Sequence, residues 1–279
     1  MPDVAFVNGM FMPIAEAKVS IEDRGFQFGD GVYEVIRTYG GHPFALDAHL
    51  ARFERSAVSL DLPLPYSRAE WDGYVREGIK RAAFSEAKVY IQLTRGVAPR
   101  DHAYPDSVPP TVVMTVRELH PLAMSVQAAG VVAMTIEDIR WGRCDIKSVN
   151  LLANVLARQQ VRKANAFEAI LVKEGLVTEG AVSNVMVVRG GTILTAPEGP
   201  RILSGVTRAL VLDLARKAGL PIQERFVSQA ELYDADEVFL TGTTVEVLSV
   251  VRVDGKVING GRPGPVTCRL AAGFMSLAS

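Results

Sequence analysis

Four small turns set the first limit on this fold. Asn8-Gly9, Gly40-Gly41, Gly190-Gly191 and Asp254-Gly255 each end a run of strand-forming residues. Such pairs suit two-residue hairpin loops, which need positive φ and join antiparallel neighbours. They predict strands at Ala5–Val7 and Met10–Met12, at Val32–Tyr39 with a return through Pro43–Leu46, at Val185–Arg189 with Thr192–Thr195, and at Val245–Val253. Alternating or short apolar runs add strands near residues 89–93, 111–116, 131–136, 168–173 and 237–241.

Helices fall between these strands. Asp47 is the expected N-cap of a helix that turns Leu50, Phe53, Ala57 and Leu60 to one face. Ser67 with Glu70 and Ser228 with Glu231 have capping-box spacing. Longer helices are expected over Ser148–Ala164 and Ser204–Ala218. Hairpins mixed with helices indicate an α+β chain, not a regular βαβ alternation. The pattern breaks at Pro121, which divides the chain into residues 1–120 and 121–279.

Composition narrows the function. The net charge of −1 has no concentrated basic face behind it, which argues against nucleic acid. Cys144 and Cys268 form neither a disulfide framework nor a metal-ligand spacing. The first residues lack the basic start and apolar core of a signal peptide, and no apolar stretch is long enough to cross a bilayer. The expectation is a cytoplasmic protein without metal, nucleic acid or membrane.

Three segments carry chemistry. In Arg140-Trp141-Gly142-Arg143-Cys144-Asp145-Ile146-Lys147-Ser148, apolar neighbours and two arginines disfavour an ammonium on Lys147. A neutral amine is what Schiff-base chemistry uses. Glu179, ending a short apolar run, is placed to keep a pyridine nitrogen protonated. Ser204-Gly205-Val206-Thr207-Arg208 opens a helix, where amides and dipole favour a phosphate, and Gly242-Thr243-Thr244 is a second small turn. Each segment also fits a plainer role: a surface lysine, a turn acid, N-capping by Ser204. Arg52 is a helical arginine of the kind usually solvated. Tyr33, Arg100 and His102 form a candidate grip for a carboxylate, while His42, His49 and His120 read as structural or surface residues.

Taken in order, these segments resemble the fold-type-IV pyridoxal-phosphate enzymes, and among them the bacterial D-amino acid aminotransferases. The resemblance rests on residues 22–35, Thr94-Arg95-Gly96, Pro99-Arg100 with His102, residues 140–152, Val177-Thr178-Glu179-Gly180, Ser183-Asn184-Val185, Gly205 with Thr207-Arg208, and Thr243-Thr244. It implies a small α/β N-terminal domain and a larger β-barrel-like C-terminal, cofactor-binding domain. It implies pyridoxal 5'-phosphate as cofactor, with Lys147 as the Schiff-base lysine and Glu179 as partner of the ring nitrogen. Arg52, Val206, Thr207 and Thr243 resemble the phosphate set. Tyr90 and Asn184 resemble positions near the cofactor. Tyr33, Arg100 and His102 resemble the trap for a substrate carboxylate. The implied activity is ping-pong transfer of an amino group from a D-amino acid of the D-alanine or D-glutamate type to a 2-oxo acid, in a homodimer whose subunits complete each other's sites. Arg37 departs from that pattern. An arginine there resembles the branched-chain L-amino acid aminotransferases, where it helps bind a carboxylate. Aminodeoxychorismate lyase is a further alternative with the same cofactor.

Overall fold

The computed structural model describes residues 3–278. The chain packs as two compact units. One comprises the chain up to Pro121 together with Ile146–Asn150; the other comprises Leu122–Asp145 and the chain from Leu151 onward.

In the first unit the order is β1 (Val4–Val7), β2 (Met10–Pro13), α1 (Arg24–Phe28), β3 (Gly31–Tyr39), β4 (His42–Pro43), α2 (Leu46–Val58), α3 (Arg68–Ala82), β5 (Ala87–Thr94) and β6 (Thr111–Glu118). Its six strands form one antiparallel sheet, ordered β2-β1-β6-β5-β3-β4. Strand alternation sorts the two faces. Val32 and Ile36, Val89, Ile91 and Leu93, and Val112, Met114 and Val116 join Leu50 and Phe53 of α2 and Trp71, Val75 and Ile79 of α3 in one core. The opposite face carries Tyr33, Val35 and Arg37 beside Gln92, Tyr90 and Lys88.

The second unit runs α4 (Met124–Ala129), β7 (Val131–Glu137), α5 (Leu152–Lys163), β8 (Glu168–Lys173), β9 (Leu176–Gly180), β10 (Asn184–Arg189), β11 (Thr192–Thr195), α6 (Val206–Lys217), β12 (Ile222–Glu224), β13 (Val227–Ser228), α7 (Gln229–Tyr233), β14 (Glu237–Gly242), β15 (Glu246–Val253), β16 (Lys256–Val257) and α8 (Pro265–Ala278). The main strand path is β12-β11-β10-β14-β15-β7-β8-β9-β13, with β16 on β15. Its two outer strands, β12 and β13, are separated in sequence only by Arg225 and Phe226. That link spans roughly 10 Å at most, so the sheet has to curl its edges together into a barrel-like form.

The hairpins and both capping boxes form where the turns and Ser-Glu spacings place them. Several boundaries differ. The return strand after Gly41 is only His42–Pro43, because helix α2 begins at Leu46. Ala45 is its N-cap, and Asp47 lies in the first turn, where a carboxylate still suits the helix dipole. Helix α6 begins at Val206 behind Gly205, with no side-chain cap, so Ser204 does not cap it. Helix α5 begins at Leu152, not Ser148. Residues 148 and 149 are used otherwise: Ser148 bridges Val32, and Val149 N donates to Gly31 O at 3.1 Å. Those contacts, with buried Ile146 in its core, attach Ile146–Asn150 to the first unit although its sequence position lies past Pro121.

Candidate active site

Lys147 sits on this attached segment. Its backbone is fixed from two sides: Tyr33 N donates to Lys147 O at 2.9 Å, and Lys147 N donates to Ser56 Oγ of α2 at 3.2 Å. The side chain is half-buried, and Nζ lies 3.4 Å from the Tyr33 hydroxyl and 4.4 Å from its ring centre. Tyr33 stacks on Tyr90 at 5.6 Å, and Tyr90 donates to Gln92 Oε1 at 2.6 Å. Burial, reinforced by Tyr33, pushes the Tyr90 phenol up to about 12, so it stays protonated.

On the other face of β3, Glu34 is fully buried. Arg52 donates to both its oxygens, Nε to Oε1 at 2.7 Å and Nη2 to Oε2 at 2.9 Å, and His49 Nδ1 meets Oε2 at 2.8 Å. Burial alone would raise this carboxyl, but Arg52 and His49 outweigh it and hold it at about 2. Burial lowers His49, which favours the neutral ring donating Nδ1–H to Glu34. Arg52 is therefore not a solvated helical arginine. It is a buried cation oriented by a buried anion.

The residues grouped as a carboxylate grip take two places. Tyr33 lies with Lys147, whereas Arg100 and His102 are exposed and gather at Phe28, at 4.5 and 5.5 Å from its ring centre. Arg37 is buried on the Tyr33 side of the sheet, where its Nη2 donates to Glu86 Oε2 at 3.0 Å and its guanidinium covers Tyr39.

In the second unit, Glu179 ends β9 as a buried carboxylate. Arg140 Nη1 donates to Oε1, while Asn184 Nδ2 and Leu203 N each donate to Oε2 at 3.0 Å. Arg140 is itself fixed by Asp138 at 2.7 Å, and Thr178 Oγ1 donates to Asp138 at 2.8 Å. Arg143 pairs with Asp145 at 2.9 Å. The two arginines expected to disfavour charge on Lys147 are thus each neutralised by a carboxylate. Asn184 also donates to Leu203 O at 2.9 Å, tying Glu179 to the approach of α6. At Gly205 a Cβ would fall 2.0 Å from Asn184 Oδ1, so only glycine fits between Asn184 and the helix start. Val206 and Thr207 follow, buried, in a first turn whose amides have no intrahelical partner. Thr243 follows β14 in a half-buried turn. Within the second unit, a fixed carboxylate and a helix start behind Gly205 suit a basic ring nitrogen and a phosphate; within the first, Lys147 offers a primary amine.

The amino-transferase class IV family profile matches residues 31–253. This chain belongs to the class IV aminotransferases. It is 46% identical to a D-alanine aminotransferase of Bacillus licheniformis over 93% of this chain and 92% of that one. It is 44% identical to a D-alanine aminotransferase of Staphylococcus haemolyticus over 96% and 95%. Among solved structures, the Escherichia coli branched-chain amino acid aminotransferase covers all of this chain, and this chain covers 95% of it, with a TM-score of 0.93 and 28% identity. The branched-chain amino acid aminotransferase of Thermoproteus uzoniensis, solved with norvaline, matches with a TM-score of 0.87 and 27% identity, over 98% of this chain and 93% of that one.

Within this class IV aminotransferase, sequence reasoning missed the supports. Glu34 alternates among apolar strand residues and reads as a polar intruder; only its pairing across β3 and α2 reveals it as an anchor. Arg140 opens the segment that carries Lys147, and Asp138 lies two residues before it, but the link from Arg140 to Glu179 spans 39 positions and leaves no local trace. Helices α1, α4 and α8 were missed as well. The signal for α1 was present in Asp23, whose side chain caps Gly25 N, and in Gly29, its left-handed C-cap.

Proposed function

We propose that this chain is a pyridoxal-phosphate aminotransferase acting on D-amino acids of the D-alanine or D-glutamate type. The observation that carries the reading is Lys147, an amine held on a fixed backbone with a phenol as its neighbour. When bound, the cofactor supplies an aldehyde that condenses with amines and a ring that withdraws electrons. Lys147 Nζ would hold the cofactor and would serve as the base and acid that moves the substrate's α-proton. Glu179, held by Arg140, Asn184 and the Leu203 amide, retains a proton on the ring nitrogen. Arg52, the first-turn amide of Val206, Thr207 and Thr243 hold the phosphate. Tyr33 binds the substrate carboxylate beside Lys147. Arg100 and His102 complete the grip from their separate place at Phe28, in a homodimer whose subunits complete each other's sites. Each half-reaction reuses the same groups, which gives ping-pong kinetics.

The D-specific part is supported by the identity to D-alanine aminotransferases and by the Arg100/His102 loop. Arg37 and the branched-chain structures favour a second reading, an L-amino acid enzyme. The Arg37 guanidinium is already engaged by Glu86, which weighs against it as a free carboxylate ligand. We further propose a cytoplasmic homodimer; among the described residues no helix is long and apolar enough to cross a membrane.

Two measurements test the proposal. Borohydride reduction of the holoenzyme followed by peptide mass analysis is expected to find a pyridoxyl group on Lys147; an unmodified Lys147 overturns the cofactor assignment. D-alanine, D-glutamate and L-leucine are then offered with 2-oxoglutarate. Turnover of L-leucine alone overturns the stereochemistry.

A further inference from the structure

Arg100 and His102 lie on an exposed segment between β5 and β6, where an unsupported loop would be mobile. Two buried arginines underlie it. Arg24, at the start of α1, donates from Nη1 to Asp101 O at 2.6 Å and from Nη2 to His102 O at 3.4 Å. The guanidinium also lies 4.8 Å from the Phe28 ring centre, the ring on which Arg100 and His102 rest. Arg95, at the base of the loop, stacks on Tyr104 at 3.4 Å and donates to the carbonyls of Leu60 and Asp61. Asp30 joins the two cations, accepting from Arg24 Nε at 2.8 Å and from Arg95 Nε at 2.8 Å. All three side chains are at least nine-tenths buried. The loop ends are pinched as well: Gly96, at φ +105°, passes so close to Pro109 O that a Cβ would sit 2.1 Å away.

A buried Arg–Asp–Arg group carries a net positive charge and a desolvation cost that apolar residues would avoid, so it is a poor device for stability. Arg24 sends its donors to carbonyls of the loop and lies against Phe28, on which the loop rests, while Arg95 ties Tyr104 of the loop to the carbonyls of Leu60 and Asp61. We infer that Arg24, held by Asp30, is a positioning residue for the substrate carboxylate: it fixes the backbone of Asp101 and His102 and the Phe28 platform, and so aims Arg100 and His102. This rests on the reading of Arg100 and His102 as carboxylate ligands. Misplacing such ligands by about 1 Å costs binding on the order of tenfold to a hundredfold.

The test uses holoenzyme and compares Arg24→Met, Phe28→Leu, Arg100→Ala and the Arg24→Met/Arg100→Ala pair. Arg24→Met and Phe28→Leu are expected to raise KM for both D-alanine and 2-oxoglutarate roughly tenfold, with kcat, cofactor content and melting temperature little changed. Arg24→Lys, which keeps the charge but cannot serve Asp30 and two carbonyls together, is expected not to rescue KM. In the Arg100→Ala background, Arg24→Met adds no further rise. If Arg100→Ala raises KM but Arg24→Met and Phe28→Leu do not, the positioning role is overturned while the carboxylate reading stands. If Arg24→Met lowers kcat and melting temperature together at unchanged KM, Arg24 is merely structural. If Arg100→Ala itself leaves both KM values unchanged, the carboxylate reading falls and this inference falls with it.

Discussion

Glu34 in the first unit and Glu179 in the second are both buried carboxylates tied to an arginine, yet their roles are reversed. Glu34 takes both forks of Arg52 and a buried histidine, so the carboxylate is the anchor and the arginine is the group proposed to meet phosphate. At Glu179 the arginine is the anchor, backed by Asp138, and the carboxylate is the group proposed to meet the ring nitrogen. An arginine–carboxylate pair does not by itself say which partner acts. The third contact decides: His49 closes the first pair inside the core, while Asn184 and the Leu203 amide carry the second toward the start of α6.

Several variants break or sharpen this contrast. The largest effect belongs to Glu34→Gln, which strands a buried guanidinium and lowers stability by about 3–5 kcal/mol in urea unfolding. It also weakens retention of pyridoxal phosphate more than of unphosphorylated pyridoxal; equal weakening of both would separate Arg52 from the phosphate. Glu179→Gln is expected to lower kcat about a hundredfold, with a smaller loss of stability. An unchanged kcat would make Glu179 an anchor like Glu34.

The acid limb of stability comes next. Glu34 is depressed from 4.5 to about 2 in the folded chain, so its contribution is present above the unfolded value and is lost as pH falls through about 2. Wild-type stability should decline across that window, and Glu34→Gln should flatten the decline; an identical slope in both proteins assigns it to other carboxyls. Glu168 has the opposite sign. Burial raises it despite bonds from Ser183 and the Ala169 amide, so stability falls as pH climbs from the ordinary carboxylate value toward its raised one. Glu168→Gln should slightly reduce the loss of stability as pH rises above the ordinary carboxylate value. No reduction would mean that the bonds from Ser183 and Ala169 offset its burial.

Residues whose signals are local were legible in the sequence. The hairpin turns and the Ser67–Glu70 and Ser228–Glu231 caps announce themselves within a few positions, whereas Lys147, Glu179 and the small residues before α6 stand out only when the segments are taken together. Helix starts were less legible where a side chain had two plausible uses. Ser148 suits an N-cap, but its pairing with Val32 takes it into the edge of β3, and the helix waits until Leu152. Arg52 could not be read as buried, because its partner lies eighteen residues away on a strand whose pattern places no label on a charged residue.

By itself the sequence determined the antiparallel hairpins, the capped helices and the inventory of reactive groups, because turn conformation, strand alternation and capping depend on neighbours along the chain. Only the tertiary structure decided which charges are buried together: Arg52 with Glu34, Arg140 with Asp138 and Glu179, Arg24 with Asp30 and Arg95. A charge removed from water is stable only beside its counter-ion and its hydrogen-bond donors. Those partners are supplied by separate strands and helices, whose meeting is a property of the packed fold.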